Sequence, residues 1–370
     1  MGNSVRYYDW CYVSGRVNIL ECSLLSSNFF ERLLSTDDFK DVLTLLNNTP
    51  LKTSFSHVKH LYEFEALLDE YYYNRLCEMR SLSPDSAVCH FFLIRNDVHN
   101  LKRFIKSETL GASVDKAFRG TMRRDEWDDV WQDKSTALPE ILRESVSFVK
   151  KVVLQHNHNQ ITPPVSLPLQ GGDFVVSAQS NDEGGVKEGS LLFIIDLIID
   201  GAYLRYVEDY CKKIEVEIIK RYLETYQLVK GLEIIRRAVA LKLNMNLLNQ
   251  YFVEGFDKGH VFHKLAKNAV WASEQTVRDV LAESHCNASQ QGLLLSNLSR
   301  NISFQYEVAT DNYLLDMLRP VKYIPFGPER VFGYLCGLTT EVFNLKLVLG
   351  GKVHRVENNL LRERLRKTYA

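Results

Sequence analysis

Apolar residues recur at steps of three and four along most of the chain, and this spacing predicts α-helices that bury one face. Between Leu204 and Tyr226 the steps predict a single long amphipathic helix. A second helix is predicted to begin at Gly327-Pro328 and to close at Gly350-Gly351, because proline suits the first helical turn and glycine follows the last. A basic final helix is predicted over Glu357–Tyr369. Only Asp173–Ala178 favours a short strand, so the expected fold class is all-α.

One arrangement of residues occurs three times along the chain. In each copy an acidic residue precedes an aspartate by four positions, and a helical motif of six residues begins 28, 30 and 30 positions after the aspartate. The acidic pairs are Glu65/Asp69, Asp196/Asp200 and Glu307/Asp311. The motifs are Asp97–Lys102, which includes Asn100; Lys230–Ile235, which includes Glu233; and Glu341–Lys346, which includes Asn344. Tandem helical units bury their apolar faces on their neighbours, so the repeat favours a scaffold or a spacer.

The second motif departs from the other two, because Lys230 and Glu233 stand where the others have an acid and an asparagine. The nearly constant steps nevertheless indicate similar packing, since an error of one residue would rotate a helix by about 100°. We therefore expect Asp69, Asp200 and Asp311 to occupy equivalent places in three similar units. Each aspartate is expected to find a cation or a backbone N–H, because partly buried carboxylates are rarely left unpaired.

The repeat divides the chain into four predicted segments. Residues 1–130 form the first helical repeat, 131–190 a connecting helix and a linker, 191–295 the second repeat, and 296–370 the third. The linker, Asn157–Ser190, is rich in proline, glycine and polar residues, which leave little apolar area to offset the entropy of ordering. This composition favours a disordered connection.

Bulk composition excludes several classes of protein. The 370 residues are 45% hydrophobic and 25% charged, as in a folded protein with an ample core, and the formal net charge of -1 gives no global attraction to nucleic acid. The most apolar run, Leu191–Leu204, contains Asp196 and Asp200 and is shorter than the roughly 18 residues of a membrane span. Seven cysteines without a CxxC spacing indicate reduced thiols.

The acidic pairs are the first candidates for chemistry. Carboxylates at i and i+4 face the same way on a helix and could hold a divalent metal or act as acid and base. Three tandem copies favour a structural role instead, because an active site is normally built once. Asp196 and Asp200 lie among apolar residues and need partners there, and Arg205, Arg236 and Arg237 are the nearest cations in sequence.

Other chemical signatures are weak or missing. His260 and His263 could share a helix face, but no third ligand has a recognisable spacing, so a surface or interface pair is the favoured interpretation. The chain contains no GxxxxGK[ST], GxGxxG or GxSxG sequence, and no cysteine has a motif of a nucleophile. The sequence therefore predicts no catalytic residue, no cofactor and no metal site.

Several short segments, in order, resemble the family formed by the C subunits of bacterial V-type ATP synthases and the d subunits of eukaryotic vacuolar ATPases. They are Tyr12–Glu21 (YVSGRVNILE), Phe39–Thr49, Asp97–Lys106, Tyr323–Gly327 (YIPFG), Glu341–Lys346 (EVFNLK) and Leu360–Leu365 (LLRERL). Each segment alone is modestly specific, and their order and spacing carry the resemblance. It extends from about Tyr7 to Tyr369 and leaves out the linker Asn157–Ser190.

This resemblance implies a funnel-like, all-helical protein of three similar units about a pseudo-threefold axis. It also implies a non-catalytic rotor protein at the cytoplasmic face of a membrane, within a rotary ATPase that couples ATP to ion transport. The implied partners are the central-shaft subunits of the ATPase head and the proteolipid ring of the membrane sector, with no direct membrane span. Two alternatives remain open: a helical-repeat adaptor of another complex, and a metal-dependent hydrolase that uses the acidic pairs or His260 and His263.

Overall fold

The structure is a computed structural model. It describes residues 7–55, 60, 63–110, 119–122, 126–134, 136–159, 188–240, 245–263, 288, 292 and 303–370. The strand predicted over Asp173–Ala178 lies outside the described residues. Most of the predicted linker also lies outside the described residues. Its described parts are residues 157–159, which end one helix, and residues 188–190, which begin the next.

The described residues form α-helices and short 3-10 helices, without a β-strand, so the all-α class is confirmed. The 3-10 helices are Tyr7–Trp10, Val253–Gly255 and Arg319–Tyr323. The α-helices are α1 (Cys11–Glu21), α2 (Ser27–Ser35), α3 (Phe39–Asn47), α4 (Lys52–Phe55), α5 (Phe64–Leu82), α6 (Ala87–Leu110), α7 (Glu126–Trp131), α8 (Glu140–Asn159), α9 (Glu188–Lys213), α10 (Glu217–Ala240), α11 (Met245–Tyr251), α12 (Ser303–Leu318), α13 (Pro328–Val353) and α14 (Asn358–Arg364).

Local sequence signals account for several helix starts. The Ser26 hydroxyl accepts a hydrogen bond from Phe29 N at 3.4 Å before α2, and the Asp38 carboxylate accepts one from Lys40 N at 2.7 Å before α3. Both side chains satisfy amide groups that have no partner within the first helical turn. Gly327 precedes α13 with a φ of 143°, a value that favours glycine, and Pro328 then begins the helix as predicted.

The single helix predicted over Leu204–Tyr226 is wrong. The chain instead folds into a hairpin, since α9 ends at Lys213 and α10 begins at Glu217. Gln227 Nε2 donates to Leu204 O at 3.2 Å and Cys211 Sγ lies 3.6 Å from Lys220 O, so the two helices run antiparallel. Periodicity did not reveal the turn, because both helices bury apolar residues in the same core and the three- and four-residue steps continue on either side.

Two other predicted helix ends also differ from the structure. Gly350-Gly351 does not close α13, which continues to Val353. A Cβ atom on Gly351 would lie 2.5 Å from the Leu361 side chain, so this glycine allows α14 to pack closely. The final helix ends at Arg364 rather than at Tyr369.

The core of the molecule is aromatic where three helices meet. Phe91 of α6, Tyr226 of α10 and Phe332 of α13 are buried, and each belongs to a helix that carries one of the three motifs. Phe91 and Tyr226 pack edge to face with ring centroids 5.3 Å apart, and Phe332 meets Tyr222 in the same way at 5.1 Å. Edge-to-face rings add specific contacts to the burial of their area.

In the parts of the chain that the structure describes, no helix has the length and apolar character needed to cross a membrane.

Candidate functional site

Six long helices contact one another in a closed cycle. In order around it they are α5, α6, α9, α10, α12 and α13, and α13 contacts α5 again. The acidic pairs lie on α5, α9 and α12, and the motifs lie on α6, α10 and α13. Each acidic helix therefore packs both against the motif helix of its own copy and against that of another copy. The helices that carry the acidic pairs consequently lie at junctions between copies.

The junction of α6 with α9 contains two ion pairs. Lys102 Nζ lies 2.7 Å from Asp200 Oδ1, and Lys106 Nζ lies 2.7 Å from Asp196. All four side chains are less than one-third exposed. The first copy thus supplies the cations that the acidic pair of the second copy requires.

The arginines predicted to meet this acidic pair have other positions. Arg205 donates to Gly255 O at 3.4 Å, Arg236 lies over the Tyr306 ring at 4.7 Å, and Arg237 lines a cavity near the pair. The prediction from proximity in sequence is wrong because helix packing brings α6 to this face of α9.

The junction of α13 with α5 repeats the first one. Lys346 Nζ lies 2.5 Å from Asp69 Oδ1. Lys346 is the last residue of its motif, as Lys102 is of the first motif, and both bond the second acid of a pair. The hydroxyls of Tyr72 and Thr339 add a hydrogen bond of 2.9 Å between the same helices. Glu65, the other acid of this pair, is exposed.

The junction of α10 with α12 is built differently. Ile235 occupies the place of the motif lysine, so the second motif offers no cation at this position. Arg366, from the segment after α14, instead places Nε 3.0 Å from Asp311 Oδ2 and reaches Glu307 at 3.7 Å. The second motif thus lacks the lysine of the other two, and Arg366 provides the cation for Asp311 instead.

Lys230, at the first position of the second motif, pairs with Glu233 at 2.9 Å within α10. Although burial alone would lower the pKa of this ammonium group, Glu233 and Asp311 raise it overall. Lys230 therefore remains charged beside the acidic pair of the third copy.

The acids that begin the first and third motifs both bind backbone amides. Asp97 is buried and accepts hydrogen bonds from Thr121 N at 2.9 Å and from Met122 N at 3.3 Å. Burial raises the pKa of Asp97, while the bonds from Thr121 lower it in part. A Cβ atom on Gly120 would lie 2.0 Å from the Asp97 carboxylate, so only glycine allows this loop to approach.

Glu341 holds the connection between α1 and α2. Its Oε2 accepts a hydrogen bond from Leu25 N at 2.5 Å, and the side chain is buried. Burial raises the pKa of Glu341 to about 7, against the opposing effects of the Leu25 amide and Arg75.

The asparagines of the first and third motifs are also buried. Asn344 Nδ2 donates to Arg366 O, and Arg366 N donates to Asn344 Oδ1, both at 2.9 Å. This two-way bond fixes the backbone of Arg366 beside α13, and the guanidinium then lies 4.0 Å from the Phe343 ring centroid. Asn344 thereby positions the cation of the third junction.

Residues 365–370, which we name the C-terminal strap, lie along α13, whereas the sequence predicted a helix up to Tyr369. Tyr369 is buried over Gly333 and Gly337, where added Cβ atoms would lie 2.7 Å from its side chain. Arg319 donates to Thr368 O at 3.1 Å, and Lys322 Nζ donates to Tyr369 O. Gly333 and Gly337, four residues apart on α13, are the feature of the sequence that indicates this groove.

Arg330 is a further structural residue that sequence reasoning missed. It is 2% exposed, forms an ion pair with Glu21 at 2.6 Å, donates to Val321 O at 3.2 Å, and contacts Asn18. Burial raises the pKa of Glu21 even though Arg330 opposes it. An arginine within the apolar run of α13 was the available signal, because a buried charge requires a partner.

The arrangement provides ion pairs between helices. Asp69, Asp196, Asp200 and Asp311 each contact a cation, and within the described ranges no three His, Cys, Asp or Glu side chains form a group suited to a metal. His263 Nε2 lies 2.9 Å from Phe256 O, and His260 stacks on the Phe256 ring at 4.8 Å. Burial lowers the pKa of His260. These two histidines therefore have structural contacts.

The described residues form an all-helical framework held by ion pairs between distant helices, and comparison with known proteins gives its family. A family model described as ATP synthase (C/AC39) subunit matches residues 13–364, so the chain belongs to this family of V- and A-type ATPase subunits. It is also similar to the C subunit of the A-type ATP synthase of Methanocaldococcus jannaschii, with 21% identity over 369 residues, covering 96% of this chain and 86% of the relative. The resemblance seen in the sequence is confirmed, and the family is one of non-catalytic subunits.

Proposed function

We propose that this chain is the rotor element that couples the central shaft of the ATPase head to the proteolipid ring of the membrane sector. The closed cycle of six helices is the observation that carries the proposal. A coupling element has to transmit torque without bending, and the three junctions between copies join segments that are far apart in the chain. Such closure resists the hinge motions expected of separate domains with small interfaces.

The three repeats, in this proposal, are arranged about a pseudo-threefold axis, with boundaries near residues 130, 190 and 295. Three relationships support it: α6 packs on α9, α10 on α12, and α13 on α5. In each case a motif helix contacts an acidic helix of another copy in the same cyclic order. Two of these contacts use a lysine at the last motif position, bonded to the second acid of the pair.

A coupling element also needs surfaces for its partners, and large apolar side chains are exposed near the start of the chain. Tyr8, Tyr12 and Ile19 are exposed on and before α1, and Tyr323 is 90% exposed at the end of a 3-10 helix. The Tyr8 and Phe326 rings lie 5.7 Å apart, which brings the two segments together. Exposed aromatic groups of this kind are typical of protein interfaces. We assign this surface to contacts within the rotary complex, at the cytoplasmic face of the membrane.

Reconstitution of the complex with and without this chain tests the proposal. ATP hydrolysis by the isolated head should persist when the chain is omitted, whereas ATP-driven ion transport by the complete assembly should be lost. Adding back the full chain should restore transport, and the chain should co-purify with shaft and proteolipid subunits. Full ion transport without the chain, or co-purification only with an unrelated assembly, would favour the adaptor alternative.

A further inference from the structure

A cavity of about 220 Å³ with both charged and apolar lining residues lies between α6, α9 and α10. Its charged lining residues come from all three helices: four are cations and two are carboxylates. The cations are Arg95, Lys102, Lys230 and Arg237, and the carboxylates are Asp200 and Glu233. The proposed rotor role uses some of these residues as ion pairs but does not account for the cavity.

The positive charge in the lining is only partly balanced. Lys102 pairs with Asp200 and Lys230 pairs with Glu233, each at less than 3 Å. Neither Arg95 nor Arg237 has an ion pair with any residue that the structure describes. Both arginines are exposed, and together they give the lining an excess of two positive charges over its carboxylates.

Two tyrosines, Tyr203 and Tyr226, also line the cavity. Tyr203 is 6% exposed, and its hydroxyl makes no hydrogen bond of normal geometry within the described parts of the chain. Burial raises the pKa of Tyr203 well above its usual value, and Tyr226 raises it further, so the phenol keeps its proton. The neighbouring Tyr226 is the phenol that this hydroxyl interacts with, and a contact outside normal geometry compensates only in part for the lost bond to water. A ligand oxygen would provide an acceptor of normal geometry.

We propose that this cavity binds a phosphate-type oxyanion between Arg95, Arg237 and the Tyr203 hydroxyl. Guanidinium groups suit this ligand, because their planar N–H groups match two oxygens of one phosphate at a time. A dianion would neutralise the excess charge that the two arginines leave. The size also fits, since 220 Å³ exceeds the roughly 30 Å³ that one water occupies and is smaller than typical sites for drug-sized ligands.

Calorimetric titration of the purified full chain with inorganic phosphate tests this inference, with pyrophosphate and ADP as further probes. We expect saturable binding of phosphate at one site per chain. The double variant Arg95→Gln/Arg237→Gln should weaken binding by about tenfold or more, since a hydrogen bond to a charged group contributes more than a neutral one. Tyr203→Phe, which keeps the ring, should weaken it several-fold.

Arg221→Gln is the matched control, because Arg221 is an exposed arginine on the same helix α10 and does not line the cavity. Its affinity should equal that of the unmodified chain. Tighter binding of ADP that depends on the same arginines would support the site and identify a phosphoryl group of a larger molecule as the ligand. If the double variant fails to fold, Tyr203→Phe and Arg237→Gln alone provide the readout.

Two results would overturn the inference. One is the absence of saturable phosphate binding at millimolar concentration, as expected if acidic side chains of another protein in the complex fill the cavity instead. The other is phosphate affinity that is unchanged in a folded Arg95→Gln/Arg237→Gln protein.

Discussion

Lys346 on α13 bonds Asp69 on α5 at 2.5 Å, although 277 residues separate the two in the chain. The contact closes the cycle of six helices, because it joins the third copy of the repeat to the first. The ion pair of Lys102 with Asp200 joins the first copy to the second with the same residue types at the same motif positions. One contact is thus repeated at two junctions, where a motif lysine docks on the second acid of a pair.

Loss of the closing ion pair should weaken the fold modestly. We expect Lys346→Met to lower the free energy of unfolding by about 1 kcal/mol, because both side chains remain about 30% exposed and water screens the pair. Denaturation by urea measures the change. A double-mutant cycle with Asp69→Asn should show coupling between the two sites. The control Lys212→Met removes two ion pairs of a more exposed lysine within α9, with Glu208 and Asp209, and should change the stability by less than about 0.5 kcal/mol. Equal effects of the two variants would contradict the role of Lys346.

The groove under the C-terminal strap should not tolerate a larger residue. Gly337→Ala should destabilise the protein by about 1–3 kcal/mol, because its Cβ would lie 2.7 Å from the Tyr369 side chain. Removing the Tyr369 side chain in the same protein should relieve the clash, so the two changes should not be additive. Gly15→Ala is the matched control: it also lies in a helix, no atom lies within 4 Å of its added Cβ, and alanine favours helix there. Thermal and chemical unfolding measure both. A neutral Gly337→Ala variant would show that the strap does not occupy this groove.

Glu341 should make the stability depend on pH. Its pKa rises from 4.5 in the unfolded chain to about 7 in the folded protein, so the folded state holds the proton more tightly. The contribution of this group to stability is therefore greatest below pH 4.5 and falls as the pH rises toward 7. The total loss is on the order of 3 kcal/mol, from the size of the shift.

Glu341→Gln should remove this part of the pH dependence while keeping an oxygen that can accept from Leu25 N. Urea denaturation at several pH values between 4 and 8 measures the slope. Glu363→Gln, which changes an exposed carboxylate on α14, serves as the control and should leave the slope unchanged. A Glu341→Gln protein with the slope of the unmodified chain would contradict the assignment.

Arg330 should be among the most sensitive charged residues. Arg330→Met should destabilise the protein by about 3–5 kcal/mol, because it leaves Glu21 partly buried without its cation. Adding Glu21→Gln should recover a part of this loss, since the unpaired charge is then gone. Arg362→Met removes an ion pair with Glu31 in which both side chains are about half exposed, and it should have a small effect. Equal sensitivity at both positions would show that burial does not set the strength of these pairs.

The exposed aromatic surface should matter for assembly rather than for folding. Tyr323→Ser should leave the melting temperature nearly unchanged, because the side chain is 90% exposed and makes little contact within the chain. It should weaken incorporation into the rotary complex, measured as the fraction of chain that co-purifies with the other subunits. Leu360→Ser, an exposed apolar residue on α14, is the control, and it should assemble normally. Normal assembly of Tyr323→Ser would remove this surface from the proposal.

Local chemistry in the sequence determined the helical class, the start of α13 at Pro328 and the positions of the acids that require partners. Three- and four-residue spacing, helix-starting residues and the cost of burying a charge all act over short segments, so they can be recognised without the fold. The choice of partner depended on packing instead. Lys102 bonds Asp200 because α6 lies on α9, although Arg205, Arg236 and Arg237 are closer to Asp200 along the chain.

Tertiary structure likewise determined the position of the turn within Leu204–Tyr226 and the continuation of α13 through Gly350-Gly351. It also determined that Arg366 provides the cation at the junction where the second motif has Ile235 instead of lysine. In each case the deciding contact joins segments distant in sequence, and the same local pattern is compatible with more than one such contact. Apolar spacing specifies which face is buried but not the neighbour that covers it. That neighbour is selected by the closure of the whole helical cycle, through the fit of glycine grooves and the matching of opposite charges.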